Sequence, residues 1–229
     1  MKKLLAVIIA AFAVTLTGYA ASASDYRAAA ERGDAKAQFN LGTCYYRGDG
    51  VAKNPAEAVR WWRKAAEQGD VNAQCILGVC YGAGIGVPKD PAEAVRWFRK
   101  AAEQGLALAQ YRLGLSYMTG DGVAKNPAEA VRWWRKAAIQ GNEKAQYLLG
   151  VSYMNGDGVA KNPAEAVKWW RKAAEQGNAD AQFCLGCCYG TGDGVAQNHA
   201  EAVRWYRKAA IQGHKEAQEC LKALKGITW

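Results

Sequence analysis

Gly33, Gly69, Gly105, Gly141, Gly177 and Gly213 recur at an unbroken interval of 36 residues, and most of what lies between them repeats in the same register. A fixed period of this length marks a stack of supersecondary units, each too small to bury an apolar face alone. It turns the search for function from a catalytic cleft to a surface.

One copy, residues 70–105, shows how a unit is built. Asp70 is placed to cap a first helix in which Ala73, Leu77 and Tyr81 recur at helical spacing, and Gly78 lets a neighbouring helix come close. That helix is predicted over about 71–81. The loop Gly84-Ile85-Gly86-Val87 suits a left-handed turn, with Val87 folding back beneath the helix. Asp90 then caps a second helix that starts at Pro91, carries Glu93 in a variant of the capping box, and runs to about Glu103. On a wheel of roughly 100° per residue, Ala94, Val95, Trp97, Phe98, Ala101 and Ala102 share one arc, while Arg96, Arg99, Lys100 and Glu103 take the other. The other copies divide in the same way, with Trp61, Trp62, Trp133, Trp134, Trp169, Trp170, Trp205 and Tyr206 beside paired alanines. Rings against small residues are expected to form the internal seam.

Residues 37–69, with Ala-Gln-x-x-Leu-Gly-x-x-Tyr, Gly-Asp-Gly-Val and Ala-Val-Arg-Trp-Trp-Arg-Lys-Ala-Ala-Glu-Gln-Gly, resemble the Sel-1-like repeat family, α/α units related to tetratricopeptide repeats. The resemblance implies an all-α fold, a right-handed α/α superhelical solenoid of five complete repeats at 34–69, 70–105, 106–141, 142–177 and 178–213. A half-repeat stands at each end: 24–33 as a second helix without its first, and 214–225 as a last first helix, with Lys222 and Lys225 suited to a polar cap. The family implies an adaptor that gathers proteins, with no common catalytic constellation and no cofactor. Its bacterial members are often exported, and one cysteine-rich branch is associated with β-lactam binding or hydrolysis. The regular cysteine pairing of that branch is missing from this chain.

Residues 1–23 read as a signal peptide. Lys2 and Lys3 precede an apolar stretch from Leu4 to Leu16, and Ala21-Ser22-Ala23 has the small-x-small form cut by signal peptidase, here before Ser24. The stretch is short for a membrane span, and no cysteine follows it to carry a lipid. The reading is therefore a chain exported to the periplasm or secreted from a bacterium, with no stable membrane span after cleavage. Cleavage lowers the formal charge from +9 to +7 and leaves 206 of 229 residues as one domain, 24–229.

Several constellations invite chemistry and have plainer explanations. Of the seven cysteines, Cys44, Cys80 and Cys188 share a position held by Ser116 and Ser152 in other copies, which suits a small packing residue. Cys184 and Cys220 take equivalent places on successive first helices, which sit roughly 8–10 Å apart, beyond ordinary disulfide reach. Cys184, Cys187 and Cys188 with His199 or His214 match no closed zinc spacing, so no metal is expected. Each Gly-Asp-Gly loop offers one carboxylate, too few for calcium. There is no Ser-x-x-Lys, Gly-x-Ser-x-Gly or His-Glu-x-x-His, so no catalytic residue is assigned. The second helices carry basic sets such as Arg60, Arg63 and Lys64, each preceded by a glutamate such as Glu57 that is placed to pair with it. An anionic envelope polymer remains an open partner for this ridge; nucleic acid does not suit an exported chain.

Positions identical in every copy serve stacking, so specificity must lie where copies differ. In tetratricopeptide-like stacks the first helices line the concave groove. There the varying residues Asn40, Thr43, Arg47, Ile76, Val79, Arg112, Leu115, Leu148, Val151 and Asn155 form the expected partner-binding set, suited to an extended or helical peptide. The leading expectation is an adaptor without catalysis. The alternatives are a β-lactam-binding or hydrolysing protein, and a binder of anionic polymer through the basic ridge.

Overall fold

The computed structural model describes residues 22–225, so the expected leader lies outside them except for its last two residues, and all regular elements among the described residues are helices. Two compact units divide the chain after Lys125. The first holds α1 (Ala23–Glu31), α2 (Ala35–Arg47), α3 (Pro55–Glu67), α4 (Val71–Ala83), α5 (Pro91–Glu103) and α6 (Ala107–Thr119). The second holds α7 (Pro127–Ile139), α8 (Glu143–Asn155), α9 (Pro163–Glu175), α10 (Ala179–Thr191), α11 (His199–Ile211) and α12 (Lys215–Lys225). Pairs of 13-residue helices repeat five times, and the fold is an all-α solenoid.

Local chemistry sets the helix ends. Asp70 accepts from the Ala73 amide at the start of α4, and Asp90 accepts from the Glu93 amide ahead of Pro91. The expected first helix of this copy extends two residues further, to Ala83. In its loop Ile85, rather than Val87, is the buried residue, because the chain turns at Gly84 and the Ile85 amide donates to the Cys80 carbonyl. The helix α1 starts before the expected cleavage point. Ser22 forms its capping box with Asp25, Ala23 is fully buried, and the Ala23 amide donates to the Asp49 carbonyl over 3.1 Å.

The seam follows the expectation in part: the second ring of each pair is buried, while Trp61, Trp133 and Trp169 are half-buried. Trp62, Phe98, Trp134, Trp170 and Tyr206 are buried together with their alanine pairs, except that Ala210 is half-buried. A methyl group on Gly42 would lie 2.7 Å from Trp62 Cδ1, and one on Gly78 would lie 2.5 Å from Phe98 Cδ1, so these glycines let the ring lie on the facing backbone. Trp62 Nε1 donates to the Phe39 carbonyl and Trp170 Nε1 to the Tyr147 carbonyl, which satisfies these two buried indoles.

Three further devices lock one copy to the next. Buried Gln74 donates to the Ala66 carbonyl of the preceding copy at 3.1 Å, and its Oε1 accepts from Gln104 at 2.7 Å. Gln38, Gln146 and Gln182 repeat both bonds. Gly86, at φ +70°, seats its α-carbon against the Pro55 carbonyl at the start of the preceding second helix. Arginines reach forward as well: Arg63 donates to the Tyr81 hydroxyl, Arg99 to Tyr117 at 2.8 Å and Arg135 to Tyr153 at 2.6 Å.

Candidate functional site

These locks use much of the basic ridge. The first arginine or lysine of each set pairs with its glutamate, as expected, over 2.5–3.2 Å. The second, in four sets, holds a tyrosine hydroxyl of the following copy. The third lies over a tryptophan ring: Lys64 on Trp61 at 4.2 Å, Lys100 on Trp97 at 4.4 Å, Lys136 on Trp133 at 4.1 Å. The ridge is an internally compensated surface.

The varying residues of the first helices divide by exposure. Arg47 and Asn155 are exposed, while Asn40, Arg112, Leu115, Leu148 and Val151 are half-buried. Thr43, Ile76 and Val79 are buried and depart from the expected open groove. Ile76 is wholly enclosed, and Thr43 donates its hydroxyl back to the Phe39 carbonyl at 3.1 Å. The reason is geometric: residues three and four apart stay on one face, but helical spacing alone does not show how much of that face the stack covers. In each unit the face therefore offers half-buried apolar and polar side chains between exposed ends.

The cysteines are thiols, and Cys44, Cys75, Cys80 and Cys188 are buried. Burial pushes the Cys75, Cys80, Cys184 and Cys188 thiols up to about 12 and that of Cys44 to about 11. Thiols held this far from thiolate are weak nucleophiles at neutral pH. Cys187 accepts a 3.5 Å hydrogen bond from the Tyr206 hydroxyl.

The sequence pattern did not bring out a matching pair of hollows, one member in each unit. In the first unit a cavity of about 280 Å³ is lined by Gly78, Val79, Gly82, Phe98, Arg112, Leu115, Ser116, Thr119 and Asp121. In the second, another of about 280 Å³ is lined by Gly190, His199, Ala202, Tyr206, Cys220, Ala223 and Leu224. They share one origin. Gly82 and Gly190 stand where other copies have Tyr46, Met118 and Met154, and in the same two copies Phe98 and Tyr206 replace a tryptophan. Tyr46 and Trp62 pack with ring centroids 5.7 Å apart, so the paired loss of bulk opens the space. In both hollow copies the neighbouring tryptophan, Trp97 or Trp205, is buried with its indole N–H lacking a partner. The signal was in the sequence as two correlated substitutions 16 residues apart, each minor alone.

Comparison with known proteins follows the same geometry. The Sel1 repeat profile matches residues 35–70, 71–106, 107–142, 143–178 and 179–214. Among solved structures, a protective antigen of uropathogenic Escherichia coli with an SLR fold is 43% identical with a TM-score of 0.85, over 88% of this chain and 43% of that one. The chain thus spans less than half the length of that antigen. A Sel1 repeat protein from Oxalobacter formigenes is 39% identical with a TM-score of 0.76, over 83% of this chain and 76% of that one. A further Sel1 repeat structure from Klebsiella pneumoniae, 23% identical with a TM-score of 0.52 over 90% of this chain and all of that one, shares the fold. No match is found among the curated proteins. With five consecutive copies matched across most of its length, the chain belongs to the Sel1 repeat family.

Proposed function

We propose that this chain is an exported adaptor that binds a segment of another protein along the variable face of its first helices and carries out no reaction on it. One observation carries the reading: the residues shared by the copies are engaged inside the stack, and those that differ include the ones left half-open. Trp62, Gln74, Gly86 and Arg99 all serve contacts between helices or copies, and Lys100 covers Trp97 on its own helix. Arg112, Leu115, Leu148 and Val151 remain partly accessible. A mixed surface of this kind suits peptide recognition, in which side-chain pockets set specificity.

The enzymatic alternative finds little support in thiols pushed up to about 12 by burial. The polymer alternative is weakened by the pairing of the ridge with glutamates, tyrosines and tryptophans. Export rests on Lys2, Lys3 and the apolar stretch after them, and the standing of the Escherichia coli relative as a protective antigen supports a place outside the cytoplasm.

The test is capture from bacterial envelope extract with wild-type protein and an Arg112→Glu/Leu148→Asp double variant. Loss of a captured protein, with helicity and unfolding midpoint retained, supports the reading; unchanged capture sinks it. Turnover of a chromogenic β-lactam by the wild type would overturn the non-catalytic part. N-terminal sequencing of the exported chain checks the cleavage point, which must fall ahead of Ser22 for the cap of α1 to survive.

A further inference from the structure

The first-unit hollow joins two features with separate origins. The space itself comes from Gly82 and Phe98 in the second copy. The charge comes from Arg112 on α6, in a position that is Asn40, Ile76, Leu148 and Cys184 elsewhere. Arg112 Nε is sealed from water with no hydrogen-bond partner, and among the described residues no carboxylate forms an ion pair with this side chain. Its guanidinium lies 5.6 Å from the ring centroid of Tyr111. A part-buried cation without a counter-charge is costly, and a buried donor without an acceptor calls for an explanation.

Apart from Ser116, the walls beside it are apolar: Gly78, Val79, Gly82, Phe98 and Leu115. Thr119 is satisfied internally, since its hydroxyl donates to the Leu115 carbonyl at 3.0 Å and accepts from the Asp121 amide at 3.3 Å. Asp121 is exposed at the rim, where water screens it, whereas Arg112 Nε is not screened. Pockets for whole small molecules run to ~300–1,000 Å³, so about 280 Å³ suits one large side chain with a carboxylate beside it. The matching hollow of the second unit has Cys220 in the place of Arg112, so it lacks this guanidinium.

We infer that the hollow between Phe98 and Arg112 is an anchor site for a peptide segment carrying an aspartate or glutamate next to a large apolar side chain. The apolar group enters over Gly82, and the carboxylate pairs with Arg112. This deepens the adaptor reading and rests on it, naming the class of segment that one part of the face selects.

The experiment uses a displayed library of random dodecapeptides as the probe, selected on the whole protein, followed by titration of the enriched peptides by fluorescence anisotropy. Enriched sequences should carry an acidic residue within two positions of a large apolar one. Arg112→Gln should weaken them at least about tenfold, and replacing the peptide's acidic residue by its amide should have the same effect without adding to it. Gly82→Met, which installs the residue of the third and fourth copies, should weaken binding by at least about tenfold while leaving the melting temperature unchanged or higher. A Cβ at Gly82 meets only Ala94 Cβ, at 3.7 Å, so the new side chain starts from an unobstructed Cβ. Phe98→Trp serves as a second filling variant. Asp121→Asn should strengthen binding by about two- to fivefold, since it removes a like charge; weakening would mean that the site takes a cation and would overturn the assignment. Failure to enrich any peptide also overturns it. If binding ignores Gly82→Met and Arg112→Gln but is lost in Leu148→Asp, the hollow assignment falls and the adaptor reading stands; if it ignores all three, both fall.

Discussion

Alanine substitutions at Gly86 and Gly105 separate backbone strain from stacking. Both glycines have positive φ, +70° and +95°. A methyl at Gly105 meets nothing within 4 Å, so Gly105→Ala costs only the left-handed conformation, about 1–2 kcal/mol. At Gly86 the same methyl would lie 2.6 Å from the carbonyl carbon of Pro55, roughly 1 Å inside the ~3.5 Å at which carbon atoms settle. Both groups are backbone, so no side chain can swing aside, and an overpacking cost of about 1–3 kcal/mol adds to the strain. Gly86→Ala should therefore cost about 3 kcal/mol, about twice the effect at Gly105. In an array stabilised through neighbouring copies, that loss falls on the junction between the first copy and the second. Guanidinium chloride unfolding followed by far-ultraviolet circular dichroism reads both quantities. Gly105→Ala should lower the midpoint and keep the slope, whereas Gly86→Ala should lower the midpoint further and flatten the slope as the junction uncouples. Equal midpoint losses with equal slopes would refute the claim that Gly86 clamps one copy to the next.

Gln74→Leu removes the bonds to the Ala66 carbonyl and to Gln104, and should cost about 1–2 kcal/mol in urea unfolding, since the Ala66 carbonyl keeps the Gly69 amide as a partner. Arg99→Gln, which breaks the bond to Tyr117, should cost about 0.5 kcal/mol more than Arg96→Gln, whose exposed pair with Glu93 lies on its own helix; midpoints of the two variants compare them. Cys75 and Cys80 should resist a disulfide thiol reagent at pH 8 until the chain unfolds, because burial raises both to about 12. Their folded-state values lie above the ordinary 9.0, so the native chain holds these protons longer than the unfolded one. The stability they contribute is complete below pH 9.0 and lost as pH rises towards about 12. Cys80→Ser, which installs the residue of the third and fourth copies, should flatten that alkaline decline in a pH series of unfolding midpoints.

Local rules carried much of the architecture. Asp70, Asp90, Pro91 and Glu93 mark helix starts by chemistry that acts within three residues, and those starts appear where expected. The rings of Trp62 and Phe98 against alanine pairs follow from helical periodicity alone. Gln74 was opaque because its burial depends on an acceptor in the preceding copy, the Ala66 carbonyl, and on a donor at the far end of its own, Gln104, and a glutamine in isolation reads as surface. Gly86 read as turn chemistry, since its contact with Pro55 belongs to a neighbour 31 residues away. Ile76 was assigned to an open stripe although its outward side is covered by packing that a single-helix wheel does not contain. The hollow at Arg112 was harder still, because it arises from what Gly82 and Phe98 lack.

The glutamine ladder has a consequence for how such a gene can change. Each rung takes an acceptor from the preceding copy and offers one within its own, so the seams around Gln38 and Gln74, and likewise those around Gln146 and Gln182, carry the same bonds. Unequal recombination that deletes or duplicates a whole 36-residue segment rejoins two matching seams and strands no buried amide. A deletion that is not a multiple of 36 residues leaves a rung facing the wrong turn. Protein length is thus free to evolve in discrete steps, and a gained or lost segment brings or removes its own recognition residues without a search for new internal packing.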